Sequence, residues 1–210
     1  MPDIADFLQR LVLTAPPLLF ALTVHEYAHS VTADRLGDPT GRLLGRSTLN
    51  PFAHLDPIGT FLLFFANFGW GKPVPVDPRN FRRPRTDMAV VAFAGPLSNV
   101  FTALLFAALF RLMVIVPFTV PGTLAYMTRY GVQISLVLVF FNLLPFPPLD
   151  GSRILTGLLP PRMAIRFQEM ERTLTLILPV LILLEVFLRV PIFWGIMGPA
   201  VTTFHRLLIG

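Results

Sequence analysis

The sequence predicts an all-α polytopic membrane protein with about five transmembrane helices and one re-entrant segment. Three observations carry this reading. Hydrophobic residues make up 54% of the 210 and charged residues only 14%, against about 25% charged in soluble domains; mean hydropathy is +0.67. The apolar residues gather into runs long enough to cross a bilayer. The positive charges sit in short clusters between those runs, the pattern of cytoplasmic loops. So little charge cannot coat a soluble globule of this size. The net charge of +5 is divided among loops, so no nucleic-acid partner is expected.

Taken in order, the run from Phe7 to Arg35 is long enough for one span, and its second half holds His25, Glu26 and His29. Three ionisable groups inside a span are costly, so function is the default explanation. Asp3 and Asp6 precede Arg10, so a basic cleaved leader is not expected. Residues 35–50 mix Arg35, Arg42 and Arg46 with Gly37, Gly41 and Gly45, which reads as an exposed basic loop with a short hairpin. Pro57 to Gly71 is uncharged over 15 residues, short for a full span and suited to a segment that dips in and returns. Lys72, Arg79, Arg82, Arg83 and Arg85 follow.

Met88 to Phe110 is 23 residues without a charge, a clear span, with Pro96 as a bend within it. Pro117 to Gly122 is a turn. Tyr130 to Leu149 is a further uncharged run of 20 residues whose end carries Pro145, Pro147 and Pro148 and must unwind. Residues 153–172, with Arg153, Arg162, Arg166 and Arg172 beside Glu169 and Glu171, read as a third basic loop. Two apolar stretches, about 173–188 and 192–208, form a helical hairpin. The arginine bias places the N-terminus outside and the C-terminus in the cytoplasm of a multi-pass cell-membrane protein. The expected organisation is one membrane-embedded domain over residues 1–210, its core about 7–155 and its C-terminal hairpin about 173–208.

The chain has no cysteine, so a metal site must use His, Asp and Glu. His25-Glu26-Tyr27-Ala28-His29 has the form H-E-x-x-H. On a helix, positions i and i+4 share one face about a turn apart, so two imidazoles can hold one Zn²⁺ and the intervening Glu can act on a water the metal activates. A catalytic zinc needs a third protein ligand. Asp150 approaches the same cytoplasmic side as His29. From the residues alone, two readings of it stay open: a third ligand, or an ordinary Asp150-Gly151 turn in water.

Paired in this order, His25-Glu26-x-x-His29 in one span and Asn142-x-x-Pro145-x-Pro147-x-x-Asp150-Gly151 at the end of another resemble the site-2 protease family of intramembrane zinc metalloproteases. Ala94-Gly95-Pro96-x-x-Asn99 resembles that family's middle core helix, and Gly71-Lys72-Pro73-Val74-Pro75-Val76 its membrane-associated β segment. The resemblance covers roughly residues 15–155. It implies His25, His29 and Asp150 as ligands of one zinc per chain and Glu26 as general base and acid. Asn142 is the implied polar residue that places the peptide or its oxyanion, and a small membrane-associated β hairpin or sheet is expected. It further implies an endopeptidase cutting peptide bonds in or near transmembrane helices of other membrane proteins. The loosened substrate strand would add to the hairpin around residues 40–76. Without PDZ or CBS modules, the chain resembles a minimal member. The competing reading is a zinc-binding membrane protein without peptidase activity, a carrier or a pseudoenzyme.

Other polar residues keep more than one reading. His54 stabilises its turn through Asp56, or serves near the site, or ligates the metal. His205 is read as an interfacial histidine. Glu185 pairs with Arg189 at i+4 or serves a gate or subunit contact. Asn99 is a helix-packing hydrogen bonder or acts near the metal. Trp70 and Trp194 are expected at membrane interfaces. The oligomeric state is not readable from the sequence.

Overall fold

Eight helices and two short 3₁₀ turns make up the described part of the chain; the computed structural model describes residues 4–66, 69–116, 120–188 and 190–210. Helix α1 (Ile4–Leu36) carries Asp6 in its first turn and Arg35 in its last, each favoured by the helix dipole. It ends in a Schellman motif. Gly37 takes φ +112°, its N–H donates to Asp34 O at 3.1 Å, and Asp38 N–H donates to Ala33 O at 2.9 Å. Asp38 is fully buried and ties three segments together. It accepts from Thr40 N–H and the Thr40 hydroxyl, from Asp77 N–H at 2.8 Å and from Asn80 Nδ2 at 2.7 Å.

Where a hairpin was expected in residues 35–50, the chain makes the single-turn helix α2 (Thr40–Leu43). Helix α3 (Pro57–Ala66) follows, started by Asp56, whose carboxylate accepts Gly59 N–H at 2.8 Å. Helix α4 (Pro84–Ile115) has Pro84 in its first turn and Pro96 inside. Asp87 reaches back to accept Arg83 N–H at 2.9 Å. Helix α5 (Gly122–Asn142) is followed by an irregular stretch, then by α6 (Asp150–Leu158), α7 (Pro161–Leu188) and α8 (Ile192–Ile209).

Helix α4 is the hub: it packs on α1, α5 and α6, while α5 also packs on α1 and α8. Small residues allow this closeness. A Cβ on Gly131 of α5 would fall 2.6 Å from the Phe106 ring of α4. One apolar cluster joins α4, α5 and α8 through Ala103, Ala107, Val132, Leu136 and Val201. A second joins α1 and α4 through Ala33, Phe81 and Val91. Outward, α4 leaves Val90, Phe93, Phe101 and Leu105 exposed, as a lipid-facing surface does.

Three expectations are corrected. Among the described residues four helices, rather than five, are long and apolar enough to span: α1, α4, α5 and α8. The stretch expected at 173–188 is the second half of α7, whose apolar part, Thr173–Glu185, is shorter than a span. The supposed basic loop before it is largely helical, in α6 and the first half of α7. The β hairpin or sheet is absent: among the described residues there is only an isolated antiparallel bridge, Leu55 to Gly71. Two causes act. Pro73, Pro75 and Pro78 have no N–H to give a ladder. Several backbone groups in between are already taken by side chains: Arg46 donates to Lys72 O at 2.6 Å and Pro73 O at 3.3 Å, Glu26 accepts Val74 N–H, and Asp38 accepts Asp77 N–H. Residues 72–77 therefore form a strap fixed by side chains rather than a strand. With the hairpin gone, substrate addition to it is withdrawn.

Candidate active site

One helical turn separates His25 from His29, and α1 sets both rings against α4. Their planes lie at 88° with centroids 4.6 Å apart. His29 Nδ1–H donates to Val91 O at 2.8 Å; a carbonyl can only accept, so in the neutral ring His29 Nε2 presents its lone pair. That lone pair meets His25 Nε2 at 3.0 Å. Asp150, in the first turn of α6, brings Oδ2 to 3.2 Å from each Nε2. The close approach depends on Gly95 of α4. A Cβ there would lie 2.5 Å from His29 Cε1 and 2.6 Å from His25 Cε1. His25, Glu26, His29 and Asp150 are each under a tenth exposed.

The donor set fits a zinc ion. Ligands about 2.0–2.1 Å from a tetrahedral zinc stand roughly 3.3 Å from one another, and the three atoms form a triangle with sides of 3.0, 3.2 and 3.2 Å. Asp150 Oδ2 is buried with no ordinary hydrogen-bond partner, an arrangement that a cation satisfies. Among the described residues, His25, His29 and Asp150 are the cluster able to hold a metal.

Glu26 faces the strap, where its Oε2 accepts Val74 N–H at 2.9 Å. Pro73 and Pro75 flank Val74, so this N–H is the sole backbone donor of that tripeptide. Asn142, at the end of α5, donates Nδ2 to Leu138 O at 3.0 Å on its own helix rather than to the His-His-Asp group. His54 is fully buried, and its Nε2–H donates to Thr48 O at 2.8 Å; it braces its turn through Thr48 instead of Asp56, and lies outside the metal-binding group. Glu185 accepts Phe193 N–H at 2.9 Å, capping the start of α8; its expected partner Arg189 lies outside the described residues. His205 does not join the cluster.

Three contributors escaped the sequence reading: Gly95 as the space for the imidazoles, Val91 O as the acceptor for His29, and Val74 N–H at Glu26. Gly95 and the Pro-Val-Pro tripeptide were visible signals. Val91 acts through its carbonyl and leaves no mark in the sequence.

Outside the polar cluster, Asp77 and Arg79 form an exposed pair at 2.7 Å. The hydrogen bonds from the Arg79 side chain and backbone hold the Asp77 carboxyl down at about 2. Burial pushes the Asp38 carboxyl up, but its bonds from Thr40, Asn80 and Asp77 outweigh this and hold it below the usual range.

The chain resembles known proteins along much of its length. The family model described as peptidase family M50 matches residues 119–185, the part holding the Asn142-to-Asp150 motif. YwhC of Bacillus subtilis (strain 168), which carries the name of a zinc metalloprotease, is 41% identical over 160 residues, covering 73% of this chain and 72% of that protein. Rip2 of Mycobacterium tuberculosis, also named as a zinc metalloprotease, is 31% identical over 147 residues, or 68% of this chain; the chain spans 56% of Rip2's length. No solved structure matches the chain. Identity and coverage of this extent place the chain in peptidase family M50, the site-2 protease family, as a zinc-dependent protease of the membrane with several spans.

Proposed function

We propose that the chain hydrolyses peptide bonds in or near the transmembrane helices of other membrane proteins, with one zinc per chain held by His25, His29 and Asp150. The observation that supports this most is the convergence of those three side chains, from α1 and α6, with 3.0–3.2 Å between their donor atoms. When bound, zinc supplies a Lewis acid that acidifies water and polarises a carbonyl. Glu26 takes the proton from the attacking water and delivers it to the leaving amine. The Val74 N–H holds the Glu26 carboxylate in place for this exchange. Asn142 turns its amide from Leu138 O to donate to the developing oxyanion.

The whole of residues 1–210 acts as one membrane-embedded domain. Helix α3 dips into the bilayer and returns: Lys72 N–H donates to His54 O at 2.8 Å, so the entry and exit of the segment lie side by side. The arginine-rich loops face the cytoplasm, which puts the N-terminus outside; four spans bring the C-terminus back to the outer side, so the expected cytoplasmic C-terminus is not kept.

The test is Glu26→Gln in proteoliposomes with single-span substrates. The variant retains one zinc and loses cleavage by at least about 100-fold, the smaller end of general acid–base effects. Cleavage at the unmodified rate removes Glu26 from the mechanism. Comparing membrane proteomes with active and Glu26→Gln protein then identifies the stabilised substrates.

A further inference from the structure

Asn99 of α4 is fully buried, and its Nδ2 lies 2.9 Å from His25 Nδ1. Its Oδ1 is buried without a partner. In this orientation the amide donates, which requires a lone pair on His25 Nδ1 and a hydrogen on Nε2. The opposite imidazole tells another story. His29 Nδ1–H is fixed by Val91 O, so His29 Nε2 offers a lone pair to the centre of the cluster. For His25 Nε2 to do the same, its hydrogen must sit on Nδ1 and meet an acceptor there. The two ends of a carboxamide differ by a half-turn and are assigned from the bonds they make. A half-turn of Asn99 brings the orphaned Oδ1 onto His25 Nδ1–H.

We infer that Asn99 is a positioning residue for zinc: in the loaded protein its carbonyl oxygen accepts from His25 Nδ1–H and fixes Nε2 as the ligand atom. Both histidines are then held in the same tautomer by α4, one by the Val91 carbonyl and one by the Asn99 carbonyl. A metal-binding histidine characteristically has such an acceptor on its second nitrogen, and losing it typically weakens metal binding 10- to 100-fold. This inference rests on His25 being a zinc ligand through Nε2.

The test measures zinc affinity of the full chain in detergent by competition with a chelator. Asn99→Leu, close in size but without an acceptor, weakens zinc by about 10- to 100-fold. Asn99→Asp, which only accepts, keeps the affinity within about threefold of the unmodified protein or tighter. Thr102→Val removes another buried polar group of α4, one bonded to Ser98 O at 2.9 Å, and leaves the affinity unchanged. Equal loss in the Leu and Asp variants, or zinc binding by Asn99→Leu within threefold of the unmodified protein, overturns the inference. If Asn99→Leu does not fold, ¹⁵N histidine spectra of the zinc-loaded unmodified protein decide. A hydrogen on His25 Nδ1 supports the inference, and its absence overturns it. His25→Ala separates the two layers: zinc retained there overturns the ligand reading itself, whereas zinc lost there but undisturbed in Asn99→Leu overturns only the role of Asn99.

Discussion

Gly95→Ala places one methyl group against the two imidazoles. The added carbon would fall 2.5 Å from His29 Cε1 and 2.6 Å from His25 Cε1, so each ring must withdraw by about 1 Å to reach ordinary van der Waals distance. The rings have little room to do so, since His29 is tied to Val91 O and His25 to Asn99. Overpacking of this kind costs about 1–3 kcal/mol, against about 1 kcal/mol returned by placing Ala for Gly in a helix. The protein therefore stays folded with a net loss of at most about 2 kcal/mol. Catalysis suffers more, because a displacement of about 1 Å at a reacting centre costs on the order of 100-fold. Zinc stoichiometry, a melting curve and the cleavage rate of a single-span substrate measure the three effects separately. Full zinc occupancy with a cleavage rate within threefold of the unmodified protein would refute the claim that this glycine makes room for the proposed metal ligands.

Asp150→Asn keeps the shape of the proposed third ligand but removes its charge, and zinc affinity falls by at least about tenfold, read by chelator competition. Removing zinc with a chelator abolishes cleavage, and restoring one equivalent per chain recovers it in full; recovery that requires two would contradict the single site. Arg46→Gln releases the strap from its hold on Lys72 O and Pro73 O and so loosens Val74 N–H at Glu26. Cleavage drops about tenfold with zinc content unchanged, from misplacement of the base. Asp38 has a depressed carboxyl pKa in the folded chain. Its contribution is thus present above the unfolded value of about 3.9 and lost as pH falls through the lower folded value. Asp38→Asn flattens this acid limb in pH-dependent melting, while Asp38→Ala removes all four of its hydrogen bonds and costs at least about 3 kcal/mol at neutral pH, since bonds to a charged acceptor contribute about 1.5–3 kcal/mol each.

The His25–His29 pair was legible because its signal is local, two histidines at helical spacing; Asp150 was left open by the residues themselves and entered through the family resemblance, since its approach to the imidazoles is a contact between distant parts of the chain. The break before Asp150 was also readable, since three prolines between Pro145 and Pro148 cannot continue α5. Span limits were less so. Arg129 interrupts the uncharged run, so the start of α5 was placed at Tyr130, yet the helix begins at Gly122. A single cation does not end a helix whose backbone bonds are internal. Alternating charges in residues 161–172 suggested a loop, but they occupy a helix, because charge alone breaks no hydrogen-bond ladder. The strap was misjudged for a non-local reason. Its backbone partners, Glu26, Arg46 and Asp38, lie 26–48 residues away or more than a helix apart in sequence. No periodicity in residues 72–77 encodes them.

Both imidazoles are steadied from across an interhelical seam, by α4, rather than from within α1. Ring orientation is thus a property of how two neighbouring rods are phased. A screw displacement of one residue, 1.5 Å along and 100° around the axis, would carry Val91 O, Gly95 and Asn99 away together. A bilayer whose hydrophobic thickness does not match the spans favours a change in their tilt. A bilayer too thin or too thick for α1 and α4 would therefore disarm the centre with every ligand still in its sequence position.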